Sequence, residues 1–256
     1  MQKNTTQEDQ FQAPFDVIPL PSKGLMYPGQ QGSVKVEYMT ATDENILTSP
    51  NLIKSGKVLD VLLERKVKEA PVPFGQLLVG DRNAIMIWLR ATGYGEMYPV
   101  KLTDPSSGVE FETEIDLSTL KTKELPEGVE PDEKGEFSFL LPKSKKKIKF
   151  KLLTVSDEKD IISRSEKYEK ATKSQISNTL TYRLQAQIKE IEGNRDINYI
   201  QQFVNVMPAF DSLKFREYSD QIEPGIDMSV DVEGPTGSFR TTVTLGLNFF
   251  WPNVRI

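Results

Sequence analysis

Two pairs of adjacent carboxylates are the first residues in this chain whose types could do chemistry. Asp43-Glu44 and Asp157-Glu158 each set two acids side by side, and positioned carboxylates are standard equipment for general acid/base work. Neighbours on a helix point about 100 degrees apart, so neither pair converges on one substrate atom. Both pairs also fall where helices should start, and the positive end of a helix favours acids there. Capping is the preferred reading, with a carboxylate-based hydrolase kept as a remote alternative. Asp81-Arg82 reads the same way, as a cap and a surface ion pair.

Metal binding is the second candidate chemistry. Asp104-Pro105-Ser106-Ser107-Gly108 and Gly234-Pro235-Thr236-Gly237-Ser238 each lie between strand-like runs and have the outline of a zinc knuckle, Cys-Pro-x-Cys-Gly. Two such knuckles together can make a four-cysteine zinc site. Asp104, Ser107, Gly234 and Gly237 hold the cysteine places here, and the chain contains neither cysteine nor histidine. One carboxylate and one hydroxyl do not hold zinc in a closed tetrahedral site, so no metal and no cofactor are expected. The turns read either as ordinary Pro/Gly hairpin turns, which is preferred, or as knuckles that have lost their metal. In either case the hairpins should hold through strand pairing and packing alone. The same two missing residue types exclude disulfides and nucleophilic machinery built on Ser-His or Cys.

Phosphate chemistry is also disfavoured. Gly56-Lys57 lacks the upstream glycine of a phosphate loop. With 37 acidic against 32 basic side chains and a formal charge of -5, the chain has no basic balance for nucleic acid. Lys143, Lys145, Lys146, Lys147, Lys149 and Lys151 could grip an anion. The last three alternate with Ile148, Phe150 and Leu152, and the preferred reading is the solvated face of an edge strand, where lysine blocks sheet-to-sheet pairing. Residues 1–20 lack the basic start and apolar run of a signal peptide. No stretch approaches the ~20 apolar residues of a membrane span. No nucleic-acid, membrane or small-molecule partner is expected.

The elements that must position these residues follow from periodicity. The length of 256 residues with 38% hydrophobic content supports a buried core in one large or two small domains. Residues 1–13 read as a flexible tail, and 14–155 as an α+β part with an extended, Pro-rich arm and the first hairpin. Residues 156–226 read as a helical part, and 227–256 as a C-terminal hairpin packing back on the first part. The fold class is α+β: β-hairpins with degenerate zinc-knuckle-like turns packed with a mostly helical half.

Within that frame, Val34, Val36 and Tyr38 alternate on one face of a strand. Thr42 and Ser49-Pro50 signal two helix starts, the second helix carrying Leu52 through Leu63. Gly80-Asp81-Arg82-Asn83 caps a helix ending near Gly93. Residues 122–136 read as an exposed loop. Ser156 caps a long helical region whose stripe of Ile176, Leu180, Leu184, Ile188 and Ile191 recurs every three or four residues. Asp196 and Pro208 open the last two helices.

Apolar and aromatic residues gather at the two ends: Leu20, Leu25 and Tyr27 in the arm, and Phe249, Phe250 and Trp251 near the C-terminus. Core burial is the default for such residues. Burial in a partner is the alternative, since aromatic clusters anchor interfaces, and these six are the candidate partner-binding set.

The order of motifs resembles the baseplate-hub protein family of T-even-type contractile-tailed bacteriophages. The residues concerned are Pro19-Leu-Pro-Ser-Lys-Gly-Leu-Met-Tyr-Pro28, the run from Val36 to Gly56, Gly80-Asp-Arg-Asn-Ala-Ile-Met86, Ala91-Thr-Gly-Tyr-Gly95, Leu152-Leu-Thr154, Ile222-Glu-Pro-Gly-Ile-Asp227 and Phe249-Phe-Trp-Pro252. Relatives carry cysteine knuckles where this chain has its two cysteine-free turns. The resemblance implies a virus-encoded, non-enzymatic protein that binds other tail or baseplate hub proteins. It would act in the host cytoplasm as a chaperone-like assembly factor, or remain in the virion baseplate as a structural subunit.

Overall fold

The computed structural model describes residues 13–173 and 176–250. The expected tail up to residue 12 and Trp251 therefore lie outside the described residues. The chain begins with β1 (Phe15–Pro19), which pairs antiparallel with β2 (Ser33–Glu37). Strict alternation in β2 buries Val34 and Val36 completely.

Three helices follow: α1 (Ala41–Leu47), α2 (Pro50–Ser55) and α3 (Val58–Lys66). The cap of α1 is Thr40, not Thr42. Asp43 sits at the third helical position and accepts from both the backbone N–H and the hydroxyl of Thr40, each at 2.8 Å, so the acid itself sets the start. Ser49 does precede Pro50 at the start of α2. The single long helix expected from Leu52 to Leu63 is divided, because Gly56 adopts a left-handed conformation (φ 68°) and closes α2.

Strand β3 (Val67–Lys68) joins the far edge of β2. Helix α4 (Val79–Tyr94) then buries Ile85, Met86 and Leu89. Its N-cap is Leu78 and its C-cap Gly95, about one turn wider than the span marked by Gly80-Asp81 and Gly93. Strands β4 (Met97–Thr103) and β5 (Glu110–Asp116) form the expected first hairpin. Residues 122–136 are less exposed than expected: β6 (Thr122–Lys123) is short but paired, and Glu136 is buried.

Strands β7 (Phe137–Leu140) and β8 (Lys147–Phe150) precede α5 (Val155–Thr172), α6 (Thr179–Gln187) and β9 (Ile188–Ile191). The stripe read as one helix is thus broken, and its last two members lie on a strand. Ile188 and Ile191 are buried, whereas Leu180 is 44% exposed. Strand β9 pairs with β8, whose other neighbour is β7, so β8 is the middle strand of its sheet. The lysines of β8 therefore protect no edge. Lys149 pairs with Asp132 at 2.7 Å and Lys151 with Asp157 at 2.5 Å, and the backbone N–H of Lys147 donates to Glu192.

The chain finishes with α7 (Ile197–Asn205), capped by Asp196, α8 (Ala209–Ile222), β10 (Gly225–Ile226) and the second hairpin of β11 (Ser229–Gly234) and β12 (Gly237–Thr242). Strand β10 pairs with β6. Eight α-helices and several small antiparallel sheets among the described residues make an α+β fold. Phe150 and Phe215 meet edge to face with 4.9 Å between ring centroids, fixing α8 on the sheet of β7, β8 and β9. The main buried cluster draws on residues from Ile18 to Phe250.

Candidate functional site

Helix α4 is where the separate motifs of the sequence meet. At its first turn, Asp81 is fully buried and accepts three hydrogen bonds from the arm: Ser22 N–H at 3.0 Å, the Ser22 hydroxyl at 2.6 Å and the Tyr27 hydroxyl at 2.5 Å. Tyr27 in turn accepts from the backbone N–H of Leu78 at 2.8 Å. Burial raises the Asp81 carboxyl above the ordinary carboxylate range, although the bonds from Ser22 and Tyr27 pull it down. Burial likewise pushes the Tyr27 phenol up, with the neighbouring Asp81 charge adding to it. Asp81 is thus not a simple cap with a surface partner; it is an internal acceptor that fixes the arm.

One residue earlier, a Cβ on Gly80 would lie 1.9 Å from the carbonyl oxygen of Pro224. Only glycine lets the backbone carrying Pro224-Gly225 cross there. Val79 donates its N–H to Leu153 at 3.1 Å, and Arg82 pairs with Glu158 at 2.7 Å. Further along, buried Arg90 donates to the carbonyl oxygens of Phe249 at 3.0 Å and Gly95 at 2.9 Å. Phe249 also packs edge to face on Tyr98 and Phe250, at 5.0 and 5.5 Å between centroids.

These contacts locate the candidate partner residues. Leu20, Tyr27, Phe249 and Phe250 are buried within this chain, the two phenylalanines completely. Among the described candidates Leu25 is the exposed one, at 40%. What sequence reasoning missed is other exposed apolar surface: Phe15 and Val17 on β1, and Ile197, Val206, Phe210 and Leu213 around α7 and α8. Ile197 and Phe210 open helices just after the caps Asp196 and Pro208. A first-turn position is the place where an apolar side chain can lack an internal partner, and that was the available signal.

The carboxylate pairs engage their own backbone. Asp157 accepts from Thr154 N–H at 2.9 Å and from the Thr154 hydroxyl at 2.7 Å, so Thr154, not Ser156, caps α5. Asp43 is buried against Lys66 at 2.6 Å, with Arg65 at 3.0 Å. The two hairpin turns do come together, but through a carboxylate. Asp104 is fully buried and accepts from the N–H groups of Ser106 and Ser107, both at 2.9 Å, and from Thr236 N–H at 3.0 Å. The Thr236 hydroxyl adds a bond at 2.7 Å. Strand pairing and packing are therefore not all that joins the hairpins.

A groove lies between the arm and the loop before β7. Leu25, Met26 and Pro28 form one wall, and Glu130, Pro131 and Glu133 belong to the other, around a cavity of about 790 Å³. A second cavity of about 320 Å³ adjoins it, sharing Met26, Tyr27 and Pro28 and reaching Val72 and Leu152. Each wall is held by one of its own residues, the first by Tyr27 bonded to Asp81 and the second by Asp132. That carboxylate accepts from Lys134 N–H at 2.9 Å, Glu136 N–H at 3.0 Å and the Lys149 ammonium at 2.7 Å.

Residues 20–250 match the family model described as T4 bacteriophage base plate protein. The chain belongs to that family. The match takes in the arm from Leu20 on, all of α4, both hairpins and the buried Phe249-Phe250 pair of this baseplate protein. No curated protein and no solved structure matches the chain. Among the described residues of the baseplate protein, no helix is long and apolar enough to cross a membrane.

Proposed function

We propose that this baseplate-family protein acts in building the tail baseplate hub, as a chaperone-like assembly factor that binds another tail protein without covalent chemistry. The observation that carries the reading is apolar surface left open at two places in a chain of this family. Phe15, Val17 and Leu25 are exposed on and beside the arm, and Ile197, Val206, Phe210 and Leu213 at the helical end. Val206 is 78% exposed. Large apolar groups grouped on a surface mark sites for protein partners. The mechanism is equilibrium capture: the factor covers surface that would otherwise aggregate and releases it to the growing hub.

A permanent structural subunit of the virion baseplate is the second reading, favoured by the family's own description as a base plate protein. In that case the same surfaces stay covered by neighbouring subunits. Quantifying the chain in purified particles and in assembly intermediates separates the two. The chaperone reading expects it in intermediates and not in finished particles; stoichiometric presence in finished particles overturns it in favour of the subunit.

A further inference from the structure

The groove between the arm and the loop before β7 has a charge pattern that the fold itself does not use. Six acids lie in residues 124–136. Three have internal cations: Glu124 with Lys23, Asp132 with Lys149, and Glu136 with Arg195. Glu127, Glu130 and Glu133 are exposed and form no ion pair among the described residues. Glu130 and Glu133 line the larger cavity, where Lys134 is the one basic side chain. Leu25, Met26, Pro28 and Pro131 supply the apolar part of that lining, and Tyr27, Gln30 and the Lys149-paired Asp132 the remaining polar part.

We infer that this groove seats a short cationic segment of a partner baseplate protein, a lysine or arginine flanked by apolar side chains. The inference rests on the assembly reading above and says which surface and what chemistry serve it. Apolar walls supply burial, and the unpaired carboxylates on one lip select a basic segment and repel an acidic one. Because Asp81 anchors Tyr27 in one wall and Asp132 fixes the loop of the other, the groove exists before the partner arrives, which lowers the ordering cost of binding. A lone carboxylate cluster would bind cations without direction; here the neighbouring apolar lining fixes which kind of cation fits.

The test uses the purified full chain and a random dodecapeptide library, with affinities of selected peptides measured by fluorescence anisotropy. Selected peptides should carry Lys or Arg beside Leu, Val or Pro. Their affinity should fall by about tenfold or more in Glu130→Lys/Glu133→Lys and in Leu25→Ser, since like charges facing each other are strongly unfavourable. Glu112→Lys/Glu114→Lys, which reverses two exposed charges on the first hairpin, should leave it unchanged. Acidic or uncharged selected peptides, no selected peptide, or affinities indifferent to the groove variants would each overturn the inference. In infected cells, a Glu130→Lys/Glu133→Lys chain that enters tail intermediates at the normal level overturns the groove and leaves the assembly role standing. A normal chain missing from every intermediate overturns the assembly role while the peptide result stands on its own.

Discussion

The carboxylate of Asp104, in the turn of the first hairpin, accepts both the backbone N–H and the hydroxyl of Thr236, in the turn of the second, across 132 positions of sequence. The first turn folds around the same carboxylate, through Ser106 and Ser107. One side chain therefore shapes its own turn and ties it to the other. Gly234 completes the approach: a Cβ there would come within 2.9 Å of the carboxylate. Ring packing of Phe111 on Phe239 at 6.1 Å supports the same junction from the strands.

Acid should loosen this junction. The Thr236 hydroxyl, followed by the Ser107 N–H, holds the Asp104 carboxyl well below the usual carboxylate range. A depressed folded value means stability that is complete above the unfolded value of about 3.9 and is lost as pH falls toward the folded one. Asp104→Asn removes the charge at every pH. The stability gap between normal chain and variant, measured by urea unfolding, should be widest at about pH 7 and shrink progressively as pH falls below about 4. A gap that does not change with pH would show that the charge on Asp104 is irrelevant to the turns.

Two glycine substitutions should have opposite signs. Gly80→Ala drives a Cβ into backbone at Pro224 and Gly225, which cannot rotate away. Overpacking of this kind costs about 1–3 kcal/mol, and rigid backbone on the receiving side places it at the upper end. Gly246 has ordinary extended backbone (φ -143°) and nothing near its Cβ position. Gly246→Ala should stabilise by about 0.4–1 kcal/mol, through the unfolded chain. Thermal melts of both variants check the pair, and equal effects would contradict the crossing at Gly80.

Much of the fold was legible wherever a local rule acts alone. The hairpins showed as period-two runs around Pro/Gly turns, and Ser49-Pro50 and Asp196 marked helix starts because their signal lies within three residues. The errors share a cause. Ile188 and Ile191 satisfy a helical stripe as well as a strand, and only pairing with β8, far away in sequence, selects the strand. That same pairing made β8 an inner strand, so the lysine argument failed with it. Thr42 and Ser156 stand directly before the acids and suggest the caps, but Asp43 and Asp157 are the second half of a Thr-x-x-Asp pair that begins at Thr40 and Thr154. The groove was invisible, since its walls, the arm and the loop before β7, lie about a hundred residues apart in sequence and the arm is placed by long-range bonds to Asp81. The arm's Leu25 and Tyr27 were the parts of it that the sequence pointed to.

Breaking the buried pair of Asp43 and Lys66 should be costly, and removing both charges less so. Burial raises the Asp43 carboxyl, but hydrogen bonds from Lys66 and Thr40 outweigh it and leave it below the usual range. Lys66 is only 2% exposed. Lys66→Met leaves a buried carboxylate facing Arg65 alone, and loss of one member of a buried pair costs about 3–5 kcal/mol. Asp43→Asn/Lys66→Met removes the stranded charge and should recover part of that loss. Chemical denaturation of the single and double variants decides the point; a double variant less stable than the single one would mean that the capping of α1 by Asp43 outweighs the ion pair.

The Tyr27 hydroxyl should matter more at neutral pH than in mild acid. It donates to Asp81 at 2.5 Å and accepts from Leu78 N–H at 2.8 Å. Tyr27→Phe therefore leaves a buried donor without a partner and takes one bond from a buried carboxyl, a loss of about 1–3 kcal/mol. Burial has raised the folded value of Asp81. For a carboxyl raised in this way, stability is full below the unfolded value of about 3.9 and declines as pH rises through the folded one. The Tyr27 bond favours the charged form, so its removal deepens that decline. Urea unfolding of Tyr27→Phe should show a larger deficit at about pH 7 than at about pH 4. A deficit equal at both would assign the whole effect to the Leu78 N–H, and no change at either would remove Tyr27 as the brace of the groove's first wall.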